Sequence, residues 1–159
     1  MDDYERNILA HIDEYGCSVT SVFDPEGNHP PFSYSIGIPK SAAAPELIVV
    51  GLESKLSHSL INQYNRRIKA GETFVSGVLY LGFLEGFAVQ FGEVSRVERA
   101  KRMRSAVWLH GGPDFDALQL IWPSTTGAWP WDPEASAWLR ANQPLLAESP
   151  PSEYPQDAP

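Results

Sequence analysis

Phe32, Tyr34 and Ile36 alternate with Ser33, Ser35 and Gly37. A period this strict predicts a strand with one bulky apolar face and one face no larger than serine. The small face would let another molecule approach the backbone. Ser18 to Phe23, Glu46 to Val50, Phe74 to Leu84, Phe87 to Val94 and Ala117 to Trp122 also read as strands, because β-branched, aromatic and aliphatic residues dominate them. Asp24-Pro25-Glu26-Gly27-Asn28-His29-Pro30-Pro31 connects the first two strands, and Glu85-Gly86 turns the second hairpin.

Helical spacing appears in four places. Tyr4, Ile8, Ile12 and Tyr15 form a stripe that Gly16 can end. Leu56, Leu60, Ile61, Tyr64 and Ile68 form a second, entered at Ser54 and stopped at Gly71. Glu98 to His110 makes a third before Gly111-Gly112-Pro113, and Asp132-Pro133 opens a short fourth carrying Ala135, Trp138 and Leu139. Because most strands are joined by short turns, the expected class is α+β. Its mostly antiparallel sheet would curl toward a small barrel-like core flanked by about four helices. Residues 1–142 are expected to form a single domain, and 143–159 a proline-rich flexible tail.

Charge and cysteine content narrow the function classes. Twelve basic residues stand against 20 acidic ones, a net charge of −8, which disfavours nucleic-acid binding through phosphates. No apolar run reaches the roughly 20 residues of a membrane span, and the start, Met1-Asp2-Asp3-Tyr4, lacks the order of an export signal. A soluble cytoplasmic protein is expected. Cys17 is the single cysteine, so neither an internal disulfide nor a cysteine cage for zinc can form.

Three blocks resemble the bacterial family called domain of unknown function 4262. They are Phe32 to Ile38, Pro45 to Leu52, and Leu118 to Pro123 followed by Trp129-Pro130-Trp131-Asp132; Arg67 to Phe74 is similar to the family's linker after its helix. The resemblance spans roughly Ile12 to Pro133. Family members often carry Trp-His where this chain has Cys17-Ser18, and His where it has Ala44, so no role of those histidines transfers. The element order also resembles the split barrels of flavin reductases and pyridoxine-phosphate oxidases. That resemblance implies a homodimer and flavin mononucleotide held by Ser33, Ser35, Ser54 and the basic residues between Arg96 and Arg104.

Each candidate site has a plainer reading beside it. Five basic residues between Arg96 and Arg104, among them Arg99, Arg102 and Arg104, could meet an anion or an acidic partner, but suit a solvated helix face better. Trp122, Trp129 and Trp131, stiffened by Pro123 and Pro130, suit a stacking edge or a lid folded onto the core. Gln119 faces away from Leu118 and Leu120 and can serve as a polar group near Trp122. His11, His29, His58 and His110 show no short metal spacing; His58 suits an acid or base, or a surface position. Cys17 suits packing better than nucleophilic attack.

No catalytic constellation is assembled in this pattern. The leading expectation is a non-catalytic ligand- or protein-binding or regulatory module. Its groove would use Tyr34, Ser35, Gly37, His58, Gln119, Trp122, Trp129 and Trp131. Its rival is a flavin- or nucleotide-binding oxidoreductase-like protein, and a third reading is a partner in a toxin, defence or contact system.

Overall fold

The computed structural model describes residues 1–148. The proline-rich end of the expected tail, 149–159, lies outside them. Helix α1 (Asp3–Tyr15) opens on a reciprocal cap: Glu5 N–H donates to the Asp2 carboxylate at 2.8 Å, and Asp2 N–H donates to Glu5 Oε1 at 3.1 Å. Gly16 ends it at φ +93°, its N–H donating to the Ile12 carbonyl. Strands β1 (Ser18–Val22) and β2 (Phe32–Ile36) then form the first hairpin, with Ser18 opposite Ile36 and Val22 opposite Phe32.

After β2 the chain makes one short helix, α2 (Ile38–Ala42), and returns as β3 (Glu46–Val50), antiparallel to β2. Helix α3 (Ser54–Lys69) crosses one face of the sheet to its far edge, where β4 (Tyr80–Leu84) and β5 (Phe87–Glu93) pair antiparallel. Helices α4 (Arg96–Arg102) and α5 (Arg104–His110) lead to β6 (Ala117–Ile121), and α6 (Ala137–Asn142) follows. β6 inserts between β5 and β3, antiparallel to the first and parallel to the second.

The order β1-β2-β3-β6-β5-β4 overturns the expected architecture. This is an open mixed sheet with β1 and β4 at its two edges, and it neither curls toward a barrel nor follows the split-barrel pattern. Both sheet faces are apolar, which explains the open form. Leu47, Val49, Leu118, Leu120 and Phe91 pack under Leu60, Ile61, Tyr64 and Ile68 of α3. Tyr34, Ile36, Ile48, Val50 and Ala117 point the other way, against Ile8, Met103, Ala106, Phe115 and Leu146. A strand buried on both faces needs covers on two sides, as in a layered domain. Each large aliphatic side chain so covered contributes about 1.5–3 kcal/mol.

Helix count also differs from the expected four, with six among the described residues. α2 forms where Gly37, at φ +114°, turns the chain ahead of Ile38-Pro39. The expected helix over 98–110 breaks at Met103, whose buried side chain fills the core between two short helices. The last helix begins at Ala137, capped by Ser136 Oγ accepting from Leu139 N–H at 3.0 Å, and not at Asp132. Asp132 instead closes a turn, its Oδ2 accepting from Trp129 N–H at 2.8 Å. Beyond α6 the chain lies against the sheet, with Gln143 and Leu146 buried.

Candidate functional site

β3 and β6 run side by side in the same direction, so both carboxyl ends arrive at one rim of the sheet. There β3 passes into Gly51-Leu52 and β6 into Trp122-Pro123. A cavity of about 620 Å³ opens at that rim, floored by Leu52, Leu56, Leu84, Phe87 and Trp122 and walled by Trp138 and Leu139 of α6. Open sheets containing parallel strands commonly bind ligands outside these ends, and the volume falls in the range of small-molecule sites.

Trp122 is fixed on three sides. Its indole N–H donates to the Val50 carbonyl at 2.9 Å, its backbone N–H donates to Gln143 Oε1 at 2.9 Å, and its carbonyl accepts from Gln143 Nε2 at 2.8 Å. Trp138 meets it edge to face, with ring centroids 6.3 Å apart, yet remains 61% exposed. Gly51 permits α6 to come this close: a Cβ there would stand 2.1 Å from the Asn142 carbonyl oxygen. The polar lining consists of Ser124, Thr125, Thr126, Ser136, Glu85 and Glu134, with no basic side chain.

The other tryptophans of the loop do not line this cavity. Trp129 and Trp131 stack on each other at 5.7 Å and 5°, and Trp129 is buried. Arg140 pins their loop through the Pro130 and Asp132 carbonyls. Gln119 spans the C-terminal segment, donating to the Pro144 carbonyl at 2.9 Å and accepting from Leu146 N–H at 3.0 Å. Tyr34 is buried on the opposite sheet face, its hydroxyl accepting from Ser105 N–H at 3.0 Å, and burial pushes its phenol pKa up.

Ser35 and Gly37 serve a buried carboxylate. Glu46 is 0% exposed. Its Oε1 accepts from Ser35 Oγ at 2.7 Å and Ile38 N–H at 3.2 Å; its Oε2 accepts from Gly37 N–H at 2.7 Å and His110 Nε2 at 2.9 Å. This arrangement meets the hydrogen-bonding demand of a carboxylate removed from water. Sequence reasoning missed Glu46 because nothing in strand periodicity announces a buried charge.

The basic helix residues are largely engaged. Arg99 donates to the Pro113 and Val94 carbonyls, and Arg102 pairs with Glu98 at 2.8 Å while its guanidinium lies over Phe32. Arg104 is exposed and lies on α5.

A second concavity, of about 520 Å³ and polar, lies beside the free edge of β1 between α1 and α3. His58 reaches it from α3 with Nε2 2.9 Å from Ser21 Oγ, which is itself 2.7 Å from Ser33 Oγ. Cys17 also lines it, and burial pushes its thiol up to about 12, so a thiolate nucleophile is absent at neutral pH. No group of three His, Cys, Asp or Glu residues that could hold a metal ion occurs among the described residues.

Fold and site together define a layered α+β domain with a ligand-sized apolar cavity at the ends of its parallel strands. A family model described as Domain of unknown function (DUF4262) matches residues 11–136, and the chain belongs to that family. No curated protein and no solved structure matches the chain. The matched span includes the floor of the cavity; Trp138 and Leu139 follow it. Among the described residues no helix is long and apolar enough to cross a membrane.

Proposed function

We propose that the protein is a single-domain, non-catalytic binding module of the cytoplasm. Its ligand is a neutral or cationic small molecule with a flat apolar part, seated in the cavity against the Trp122 and Trp138 rings. The exposed Trp138 ring beside a largely carbon-lined cavity carries this reading. An aromatic ligand inserted there would cover that ring and meet an indole already held in place, so little ordering entropy opposes binding. Glu85 and Glu134 at the rim favour a cation or a neutral hydroxyl-bearing group and repel phosphate. This charge opposes the flavin or nucleotide reading, which has also lost its barrel. Of the residues first singled out by sequence, Trp122 remains at the heart of the site, and Trp138 joins it.

The test uses the neutral dye N-phenyl-1-naphthylamine with the intact protein, followed by fluorescence titration. Binding that weakens by about fivefold or more in Trp138→Ala, with the melting temperature nearly unchanged, supports the proposal. Equal binding to both proteins overturns it. Native mass spectrometry of gently purified protein then identifies any retained small molecule.

A further inference from the structure

The two edges of the sheet are treated differently. β4 pairs with β5 in an irregular register, and its Leu81 and Gly82 carbonyls are taken by Arg67 and Gln63 of α3. Irregular pairing and covering side chains keep an edge from adding strands. β1 has neither protection. Ser18-Val19-Thr20-Ser21-Val22 contains no charge and no proline and pairs with β2 in unbroken register. Outside that ladder no backbone hydrogen bond reaches it among the described residues. α1 packs on one face of the sheet through Ile8 and α3 on the other through Leu60 and Ile61, so the strand edge lies between them.

An open edge accepts a strand, and the residues around this one specify which. Antiparallel pairing of β1 with a second copy, about a twofold axis at Thr20, overlaps all five residues and sets Ser18 opposite Val22. No like charges face each other within such a ladder. Two places beyond its end, Asp24 of the second copy comes opposite Gly16. The Lys69 ammonium stands at that point, since a Cβ on Gly16 would lie 2.9 Å from Nζ. Asp24 is held in place, its carboxylate accepting from Glu26 and Asn28 N–H at 3.0 Å each. The twofold axis makes this ion pair twice. Phe23, 70% exposed, is set by the same register beside Cys17, which lines the polar concavity. Opposite charges at both ends of the ladder and a ring to cover favour a second copy over a foreign strand that lacks them.

We infer that the chain self-associates through β1 into a twofold dimer, joining two six-stranded sheets edge to edge. The surface shares no residue with the Trp122 cavity, so the inference stands independently of the function proposed above.

Sedimentation velocity of the full chain over a range of concentrations tests it. A short ladder belongs with small, transient interfaces, so a dimer Kd of about 10–100 μM is expected. Thr20→Lys sets two ammonium groups against each other at the axis and should weaken association at least about tenfold; Lys69→Glu, at an exposed position, should weaken it about fivefold. Trp138→Ala should leave it unchanged. Mild oxidation of single-cysteine variants in a Cys17→Ala background reads the register. Thr20→Cys should give disulfide-linked dimers, because the paired Cα atoms would lie about 5 Å apart. Val22→Cys, about 13 Å from its own copy, and Leu81→Cys on the other edge should not. A monomer at every concentration, undiminished association in Lys69→Glu, or cross-linking no faster at position 20 than at 22 or 81 overturns the inference, whether or not Thr20→Lys folds.

Discussion

The Trp122 indole N–H donates to the Val50 carbonyl at 2.9 Å, tying the first residue beyond β6 to the last residue of β3. This bond closes the parallel ladder at the rim where the cavity opens. It also sets the plane of the ring against which Trp138 stands.

Trp122 and Trp138 should therefore separate in their effects. Trp122→Phe keeps an aromatic ring but leaves the Val50 carbonyl without its donor, and should lower unfolding free energy by about 1–3 kcal/mol in urea titration. Trp138→Ala removes a ring that is mostly in water and should change stability by less than about 1 kcal/mol while weakening dye binding. A large stability loss in Trp138→Ala would make α6 a structural lid.

Removing the buried carboxylate should be far more damaging. Glu46→Ala strands Ser35, two backbone N–H groups and His110 around an empty position, with an expected cost of about 3–5 kcal/mol. Urea denaturation followed by far-UV circular dichroism measures it. A cost below about 1 kcal/mol would show that water replaces the carboxylate freely.

Gly51→Ala meets two obstacles at once. The residue sits at φ +93°, and the new Cβ would stand 2.1 Å from the Asn142 carbonyl oxygen. Left-handed strain alone costs about 1–3 kcal/mol, and α6 must shift as well. Reduced thermal stability together with weaker dye binding is the expected pair of results; loss of stability alone would uncouple α6 from the cavity.

Cys17 gives the domain a pH dependence of known sign. Burial raises its folded-state pKa from 9.0 to about 12. Below the unfolded-state value both states hold the proton and the thiol has no effect. Between about pH 9 and 12 the unfolded chain releases it and the folded chain does not, so stability falls by roughly 1.4 kcal/mol per pH unit. Buried Tyr34 and Tyr64 act in the same direction at higher pH. Chemical denaturation of wild type and Cys17→Ala at pH 8 and 10 isolates the thiol: the variant should lose less stability between them. The native thiol should also react slowly with iodoacetamide at pH 8.

Much of the framework was legible in the residues. The stripe from Leu56 to Ile68, the terminating Gly16 and the Glu85-Gly86 turn all act locally, where periodicity and turn chemistry speak directly. Leu47 to Val50 carried a further signal: an unbroken apolar run indicates burial on both faces and hence an open layered sheet. Alternation in Phe32 to Gly37 drew attention to an approachable small face, but Ser35 and Gly37 are occupied by Glu46. The partnership of β3 with β6 was not legible, because a long connection separates them and no turn residue encodes their register. Trp138 escaped notice as a site residue because its spacing groups it with Ala135 and Leu139 in one apolar stripe, whereas only Ala135 and Leu139 turn inward and Trp138 stays exposed.

The ladder between Glu46 and Ala117 also sets an order for biosynthesis. As the ribosome delivers the chain, β1, β2 and β3 can meet early, but β3 keeps one apolar edge open until β6 has left the exit tunnel. Such an edge is prone to pairing with the wrong strand. Slowing elongation between these segments should prolong that exposure and raise the share of nascent chains captured by chaperones.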